Sequence, residues 1–511
     1  MASALPRIHP HFERAGDAPE PSWPDRLYAK IDHTEPARLD DTPEALFAFD
    51  TVDANDFDRF PPFTSNVAAV EAYRRDYWQW RSARSHRPPN GDMFDQLRLY
   101  RVEAMLARDD PVFKRWASQL QEAARVSDED SVWIEIEVLH GEEAPVPGSI
   151  PAEVYPSLFA APAARFIRLR QMPPASAKLL AAAFSLKDLP RLGDADVRAR
   201  LGGCEALALG VYDVGQGSAT ALLADDLRPT MYFDLGCGVY RNARTCPDPL
   251  AFCFTNAPPV VLSHWDADHW AGAYWLKTGP NRGLQGLQLD WIAPDQSVGP
   301  VHLAFARDVW MAGGRLFIYP LPAGQHLRVT LSPLHELFLL RSYGAERNDD
   351  GFVLQVVEQS QHCWLLTGDA RYDAFRPALP MPAVEFEAVV VPHHGADLGP
   401  QAWLPPPSPP PSRRLLFSFG PNNAHGRRST SHPKAECVAA HQAAGWDVDR
   451  WDHVAAPGHR VARGDVRATA KNGPGCERIG SIVVRWNGHP AQPRPAMPCG
   501  RTNCTIDLTQ T

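Results

Sequence analysis

The stretch His264-Trp265-Asp266-Ala267-Asp268-His269 sets our expectation for the architecture of this chain. It follows the apolar run Val260-Val261-Leu262, which predicts a buried strand, and it precedes the small residues Ala271-Gly272. A short loop between a strand and a helix can direct two imidazoles and two carboxylates at one point. This mixture of nitrogen and oxygen ligands suits one or two divalent cations, with zinc, manganese and iron as candidates. The sequence therefore predicts a metal centre at the C-terminal end of this strand.

Other apolar runs end in polar residues in the same way. Strands are predicted at 207–212, 231–233, 363–366, 388–391 and 415–418. The strand at 363–366 runs into Thr367-Gly368-Asp369, and the strand at 388–391 runs into Pro392-His393-His394-Gly395. Because strands that end at one edge of a sheet bring such residues together, we expect these side chains to meet.

The bulk composition favours a soluble, multidomain protein. The chain has 511 residues, which predicts two or three domains, and its 44% hydrophobic content is that of a globular protein. The net charge of −9 does not indicate a general nucleic-acid or membrane binder. The nine cysteines include no Cys-x-x-Cys pair, which favours reduced thiols. With no signal peptide and no apolar run long enough to span a bilayer, we expect a cytoplasmic location.

Four regions are predicted along the chain: an extended arm at 1–60, a mixed α/β accessory domain at 61–200, a catalytic domain at 201–490 and an irregular tail at 491–511. The accessory domain is predicted to contain helices at 67–80, 93–108, 111–126 and 177–184, and a strand at 132–138. A proline run at 405–411 is interpreted as a surface spacer, or alternatively as a ligand for a proline-recognising protein partner.

Taken together, the motifs resemble those of the metallo-β-lactamase superfamily. The loop at 264–269 is similar to its His-x-His-x-Asp-His signature, in the variant with Asp266 as the second ligand that resembles the lactamase-like domain of the competence protein ComEC. Further matches follow in the same order: Tyr212-Asp213-Val214-Gly215-Gln216-Gly217, Asp234-Leu235-Gly236, Thr367-Gly368-Asp369-Ala370, Val391-Pro392-His393-His394-Gly395, Ser418-Phe419-Gly420, Asn422 or Asn423, and His432-Pro433. The resemblance covers about 205 to 485 and leaves the residues before 200 outside it.

This resemblance implies an αββα sandwich, preceded by the N-terminal mixed α/β accessory domain, in a soluble stand-alone protein. It also implies two divalent metal ions, zinc or manganese, with Asp369 as the bridging ligand. One ion would be held by His264 and Asp266, and the other by Asp268, His269 and a histidine of the 393–394 pair. We prefer His393 as that ligand, with His394 directed toward the substrate or leaving group. Asp268, Asp369 and His394 are then the expected catalytic residues.

One departure from the family concerns the first metal position. Classical members carry a further histidine ligand between the main loop and the bridging aspartate. His302, His326, His335 and His362 lie in that interval, and none belongs to a recognisable motif. The first position therefore has no identified third ligand. The replacement of a histidine by Asp266 makes the site harder and manganese more plausible relative to zinc.

The resemblance also implies residues around the metals. Asp234 would hold the loop at 264–269, called the metal loop below, in place. Asp213 and Gln216 would line the pocket, and Asn423 and His432 belong to the closing segment. Arg427 and Arg428, in an insertion before His432, could bind a phosphate at the mouth of the site, although a solvated loop is the alternative.

The function implied is metal-dependent hydrolysis, with a phosphodiesterase or nuclease as the leading interpretation. The substrate would be a phosphate ester, either nucleic acid or a nucleotide, and no membrane is involved. Hydrolysis of a carboxylic ester, thioester or lactam is the second interpretation, because the same fold supports that chemistry. The third is a non-catalytic regulatory protein that binds a partner through its N-terminal domain or the proline run.

Overall fold

The computed structural model describes residues 8–13, 23–35, 44–63, 66–82, 91–116, 133–140, 146–248, 250–274, 284–359, 362–381, 384–424, 431–448, 464–471 and 477–488. The predicted tail at 491–511 and the two arginines Arg427 and Arg428 lie outside these residues. Within them, no helix is both long enough and apolar enough to cross a membrane.

The N-terminal part of the chain forms a closed, six-stranded antiparallel barrel. In order around the barrel, the strands are β1 (Arg26–Glu35), β2 (Glu44–Asp53), β3 (Leu99–Ala107), β5 (Ile150–Tyr155), β6 (Ala163–Gln171) and β4 (Trp133–Leu139). Alternate side chains of each strand fill the interior, as Phe47 and Phe49 do in β2. Closure pairs every strand on both sides.

The barrel differs from two of the expectations. Residues 1–60 do not form only an extended arm, because β1 and β2 pair within that range. Their alternation is obscured because outward-facing Lys30 and Asp50 are charged and yet buried. The helix predicted at 93–108 is wrong, since β3 occupies most of it and turns Val102, Ala104 and Leu106 inward with a period of two.

The remaining predictions for this region are closer. The helix expected at 67–80 is confirmed as Val67–Ser82, and the one expected at 177–184 is confirmed as Pro174–Ala183. The strand expected at 132–138 is β4. The helix expected at 111–126 is described only over 111–116. A further short helix, Ala54–Arg59, is capped at its N-terminus by Asp53, whose carboxylate accepts from the backbone N–H groups of Asn55 and Asp56.

The C-terminal part contains two seven-stranded sheets. The first has the order β12 (Arg315–Tyr319), β11 (Asp290–Pro294), β10 (Val260–Val261), β9 (Pro229–Leu235), β8 (Ala219–Leu223), β7 (Ala208–Val211) and β22 (Ile482–Arg485). The second has the order β13 (His326–Thr330), β14 (His335–Arg341), β15 (Phe352–Glu358), β16 (Cys363–Leu366), β17 (Ala388–Val390), β18 (Arg414–Phe417) and β19 (Val466–Ala468). A small hairpin pairs β20 (Ala470–Lys471) with β21 (Glu477–Arg478).

The two sheets pack face to face, with helices on their outer faces. Ile292 of the first sheet and Leu354 and Trp364 of the second belong to one buried apolar core. The helix Pro300–Met311 packs on the outer face of the first sheet. The helices Tyr372–Phe375 and Ala435–Ala443 pack on the outer face of the second. The helix Asp194–Leu201 contributes Val197 and Leu201 to the core between the sheets. The layers are therefore helix, sheet, sheet, helix.

The barrel region and the sandwich share a continuous apolar core. The helix Pro300–Met311 lies between them, and its residues from Pro300 to Val309 are all buried. Its neighbours in the shared core include Tyr77 of the N-terminal part and Trp291 of the first sheet. An ion network crosses the same interface, since Arg307 donates to Asp92 at 3.0 Å and to Asp308 at 2.7 Å. The barrel region therefore packs against the sandwich through a shared apolar core.

Because of this shared core, we expect the barrel and the sandwich to unfold in one cooperative transition. Separating them would expose the apolar faces of both, so neither part should persist alone. Urea unfolding followed by tryptophan fluorescence and by far-ultraviolet circular dichroism should give coincident curves. Two separate transitions would contradict this expectation.

The proline run at 405–411 is mostly docked on the second sheet. The carbonyl of Pro406 accepts from the backbone N–H of Phe386 at 2.9 Å, and that of Pro405 accepts from the indole of Trp446 at 2.9 Å. Only Pro409, Pro410 and Pro411 are exposed. The surface available to a proline-recognising partner is thus limited to the tip of the run.

Candidate metal centre

The predicted metal-binding segments meet at one edge of the sandwich. The loop at 264–269 follows β10 of the first sheet, whereas Asp369 follows β16 and His393-His394 follow β17 of the second. The two sheets approach closely here. Gly368 has a φ of +55°, and a Cβ on it would lie 2.7 Å from the Cβ of Ser263. Only glycine combines this backbone conformation with this contact.

A buried carboxylate orients two histidines of the loop. Asp234 is fully buried, and its Oδ2 accepts from the hydroxyl of Ser263 at 2.8 Å and from Nδ1 of His269 at 2.7 Å. Since the Ser263 proton is used in this way, its Oγ accepts from Nδ1 of His264 at 3.0 Å. Both rings therefore carry the proton on Nδ1 and present Nε2 to the site. Asp234 thus contacts both the serine that precedes this loop and a histidine within it.

One group of ligand atoms consists of His264, His269 and Asp369, with all three atoms within 4.8 Å of one another. Nε2 of His269 lies 3.2 Å from Oδ1 of Asp369, and Nε2 of His264 lies 3.8 Å from Oδ2. Among the described residues, neither Nε2 atom has a hydrogen-bond partner, although both are buried. Buried polar atoms left in this way are costly unless a cation or a proton binds there. The residues present thus fit a divalent cation.

A second group consists of Asp268, His269 and His394. Nδ1 of His394 donates to the carbonyl of Ser418 at 2.9 Å, which directs Nε2 to Oδ2 of Asp268 at 3.2 Å. The structure therefore places His394, and not the preferred His393, beside Asp268 and His269. The reason is a tight turn, because His393 and His394 both have positive φ values, of 49° and 56°. This turn folds the second ring inward and leaves the first partly exposed.

His393 lies instead on the side of the expected first metal position, near His264. Its Nε2 is 3.7 Å from Oδ2 of Asp369, the same oxygen that His264 faces. This places a further imidazole where the sequence left the first metal without a third ligand. None of the four histidines in the interval before Asp369 belongs to either group. His335 packs against the ring of Trp486, whereas Nε2 of His302 lies 3.1 Å from Nη1 of Arg347, next to the metal loop.

The carboxylates and imidazoles of this site strongly shift one another's pKa values. Burial would raise the pKa of Asp369, but the imidazoles of His269, His393 and His264 hold it well below its usual range. Burial would lower the pKa of His269, but Asp369 and Asp234 raise it well above the ordinary value. Without a cation, protons must therefore compensate the carboxylates. Because a divalent cation replaces those protons, its binding should release them.

Asp266 contacts both His264 of the metal loop and Arg347, an arginine that no sequence motif indicated. Its Oδ2 lies 3.5 Å from Nε2 of His264, while its Oδ1 accepts from Arg347 at 2.9 Å. The same guanidinium donates to Oδ1 of Asp32 at 2.6 Å and to the backbone carbonyl of Asp32 at 3.0 Å. Asp32 lies at a bulge in β1, between Ile31 and His33. The bulge directs Asp32 out of the barrel toward the sandwich.

Other predicted residues have structural contacts instead. Asp213 accepts from Arg478 at 2.7 Å and does not line the cavity. The side chain of Asn423 donates to the carbonyl of His432 at 2.8 Å and accepts from its N–H at 2.7 Å, so it joins two chain segments. The His432 ring is fully buried, with its centroid 5.7 Å from that of His393.

A cavity of about 90 Å³ opens over the two groups. Its walls come from the metal segments, from Gln216 and from the 3-10 turn Tyr240–Thr245, and also from the barrel residues His33 and Arg101. No protein-family model and no curated protein matches this chain. The case for a function therefore depends on the geometry of this site. The three buried imidazoles of His264, His269 and His394, together with three carboxylates at the cavity wall, can bind one or two divalent cations.

Proposed function

We propose that this chain is a metal-dependent hydrolase of phosphate esters, with a metallo-β-lactamase-like sandwich as its catalytic unit. The observation that carries the proposal is the pair of ligand groups that overlap at His269, with Asp369 adjacent to both His264 and His393. The order of layers and the position of the metal loop at a strand end also support it. Zinc and manganese are the proposed ions.

The ligand sets follow from the number of atoms available. His269 offers only one Nε2, so two ions cannot both use it. We assign Asp268, His269 and His394 to one position. His264, His393 and Asp266 would hold the other, and Asp369, which lies next to both sets, would be a ligand shared between them. When bound, paired divalent cations lower the pKa of a water and stabilise the attacking and leaving oxygens of an in-line displacement.

The protein residues hold this arrangement before substrate arrives. Asp234 and Ser263 fix the tautomers of His264 and His269, as partners of ligating histidines generally do. The carbonyl of Ser418 does the same for His394. Because Nδ1 of His394 donates to this carbonyl, its Nε2 is directed at Asp268 within the second group, and we propose that His394 is a ligand and not the group that faces the leaving group. His393 is the more exposed of the pair and lines the cavity.

The charge around the cavity favours an anionic substrate only when metal is present. Five carboxylates line it, from Asp32, Glu103, Asp266, Asp268 and Asp369, against the two guanidinium groups of Arg101 and Arg241. Without metal, protons on imidazoles such as those of His269 and His394 offset much of this negative charge, so the protein alone would have little net attraction for a phosphate ester. Two divalent cations would make this field positive. A phosphate ester suits such a site better than a neutral carboxylic ester or lactam does.

The proposal is tested by elemental analysis of the purified protein together with a substrate panel. We expect bound zinc or manganese, and hydrolysis of a bis-aryl phosphodiester that stops when a chelator removes the metal and resumes when it is restored. An aryl carboxylic ester and a β-lactam serve as comparison substrates. A metal-loaded protein that cleaves either of these but not the phosphodiester would refute the phosphate assignment, and a protein that binds no metal would refute the metal centre.

We also propose a cytoplasmic location. Cys204, Cys246, Cys363 and Cys437 are buried as free thiols, which suits a reducing compartment. Burial raises the pKa of the Cys204 thiol to about 11, so this thiol is unreactive at neutral pH.

A further inference from the structure

We propose that the barrel forms a substrate-binding wall of the metal centre, with His33 and Gln216 as hydrogen-bond donors to a small phosphate ester. This inference rests on the proposed function, because it places the phosphate beside the metal ligands.

The cavity is shaped for a small ligand. The space that the described residues enclose there, about 90 Å³, is well below the roughly 300–1,000 Å³ of pockets that enclose drug-sized ligands. Proteins that bind single-stranded nucleic acid present a positively charged groove along the backbone. Here the barrel contributes the two carboxylates of Asp32 and Glu103 to the wall, against the one guanidinium of Arg101. Size and charge both favour one phosphate group over a polymer.

His33 is held so that its Nε2 always carries a proton. Its Nδ1 lies 3.1 Å from Nη2 of Arg101, and a guanidinium can only donate, so Nδ1 accepts and Nε2 carries the hydrogen. Oδ2 of Asp32 is 3.5 Å from the same Nδ1, beyond the usual hydrogen-bond range. If the ring were doubly protonated, Nε2 would still be a donor. Among the described residues, no group accepts from this Nε2.

The same contact decides which role His33 can have. While Nδ1 accepts from Arg101 the ring is neutral, and loss of its Nε2 proton would produce an imidazolate, which is inaccessible near neutral pH. In this form His33 is a binding and positioning group. It follows the bulge at Asp32, so the feature that directs Asp32 to Arg347 also brings His33 to the cavity wall.

Gln216 supplies a second donor from the sandwich side. Its side chain is only 1% exposed, and its Oε1 accepts from the backbone N–H of Gly420 at 3.4 Å. This contact fixes the amide orientation and leaves Nε2 for another acceptor. Within the described part of the chain, Nε2 of Gln216 has no hydrogen-bond partner, although it is buried and its residue lines the cavity. An acceptor-rich ligand such as phosphate would satisfy both donors.

The inference is tested by titrating inorganic phosphate into the full-length protein, with and without bound metal, and measuring the dissociation constant by calorimetry. The variants are His33→Ala, His33→Gln and the control His140→Ala. His140 is also a barrel histidine, paired with Asp25 at 3.1 Å, but it does not line the cavity. Elemental analysis establishes the metal content of every variant.

We expect the metal-loaded wild type to bind phosphate and the metal-free protein not to bind it. His33→Ala should weaken binding by about tenfold to a hundredfold, the factor associated with one hydrogen bond to a charged group. His33→Gln should recover most of this loss, because its amide can also donate, and His140→Ala should match the wild type. With the bis-aryl phosphodiester, His33→Ala should raise KM by the same factor and change kcat little.

Three results would overturn the inference. One is equal phosphate binding by wild type and His33→Ala at equal metal content. Another is a gain of binding when the metal is removed. The third is cleavage of long single-stranded DNA at a higher kcat/KM than the small diester. Failure of the wild type to bind any metal is a different outcome, since it refutes the proposed function itself and the inference with it.

Discussion

Replacing Asp369 by asparagine should lower metal-dependent phosphodiester hydrolysis by roughly a thousandfold or more. The carboxylate oxygens of Asp369 face Nε2 of His264 and of His269 within one buried group. Asparagine has nearly the same shape but no charge, so the main change is the loss of an anion between the proposed cation positions. The measurements are kcat at saturating substrate and the metal content of the purified variant.

A matched control is available close by. Asp397 is exposed and follows the histidine pair, and within the part of the chain that the structure describes its carboxylate accepts only from the N–H of Gly399. Asp397→Asn should leave kcat and metal content unchanged. Asp268→Asn should resemble Asp369→Asn, because Asp268 belongs to the second group. Activity of Asp369→Asn within tenfold of wild type, with a native circular dichroism spectrum, would be incompatible with a bridging role for this carboxylate.

Replacing Arg347 by alanine should reduce the free energy of unfolding by about 3–5 kcal/mol, the usual cost of removing one partner from a buried ion pair. Arg347 lies between Asp32 of the barrel and Asp266 of the metal loop, and the side chains of both aspartates are largely buried. Without the guanidinium, the two buried carboxylates lose the positively charged group that they both contact. Urea unfolding of metal-free protein at neutral pH measures this loss, since a bound cation would itself compensate Asp266.

The exposed pair of Arg198 and Asp194 provides the comparison. Their side chains are 49% and 60% exposed, so Arg198→Ala should change stability by less than about 1 kcal/mol. Adding Asp32→Asn to Arg347→Ala should restore part of the lost stability, because the two residues are in contact and their effects are not additive. If Arg347→Ala is as stable as Arg198→Ala, the ion network does not join the barrel to the metal loop.

The Arg347 effect should also depend on pH. Burial would raise the pKa of Asp32, but Arg347 and Arg101 hold it well below its ordinary value of 3.8. A carboxyl whose folded pKa is depressed stabilises the fold above its unfolded pKa, and this contribution is lost as the pH falls through the folded value. In Arg347→Ala, Asp32 should take up a proton at higher pH than in wild type. The stability difference between the two proteins should therefore narrow as the pH is lowered.

Local patterns were sufficient for much of the sandwich. The predicted strands at 260–262, 363–366, 388–391 and 415–418 correspond to β10, β16, β17 and β18. Each is a short apolar run, buried on both faces by the other sheet or by a helix, and such runs stand out from their polar ends. The barrel was harder, because some outward side chains of β1 and β2 are buried outside the barrel core. Charged residues such as Lys30 and Asp50 are buried there, which removes the alternation that identifies a strand.

The sequence by itself determined which residues could bind metal, because ligand chemistry depends on residue type and short loops keep neighbours together. It could not decide between His393 and His394, since that choice depends on a left-handed turn and on the carbonyl of Ser418. Nor could it bring Asp32 and Arg347 together, or place His33 and Gln216 on one cavity. Those distances depend on how the barrel packs against the sandwich. The shared apolar core determines this packing, and no local periodicity of apolar residues in the sequence predicts it.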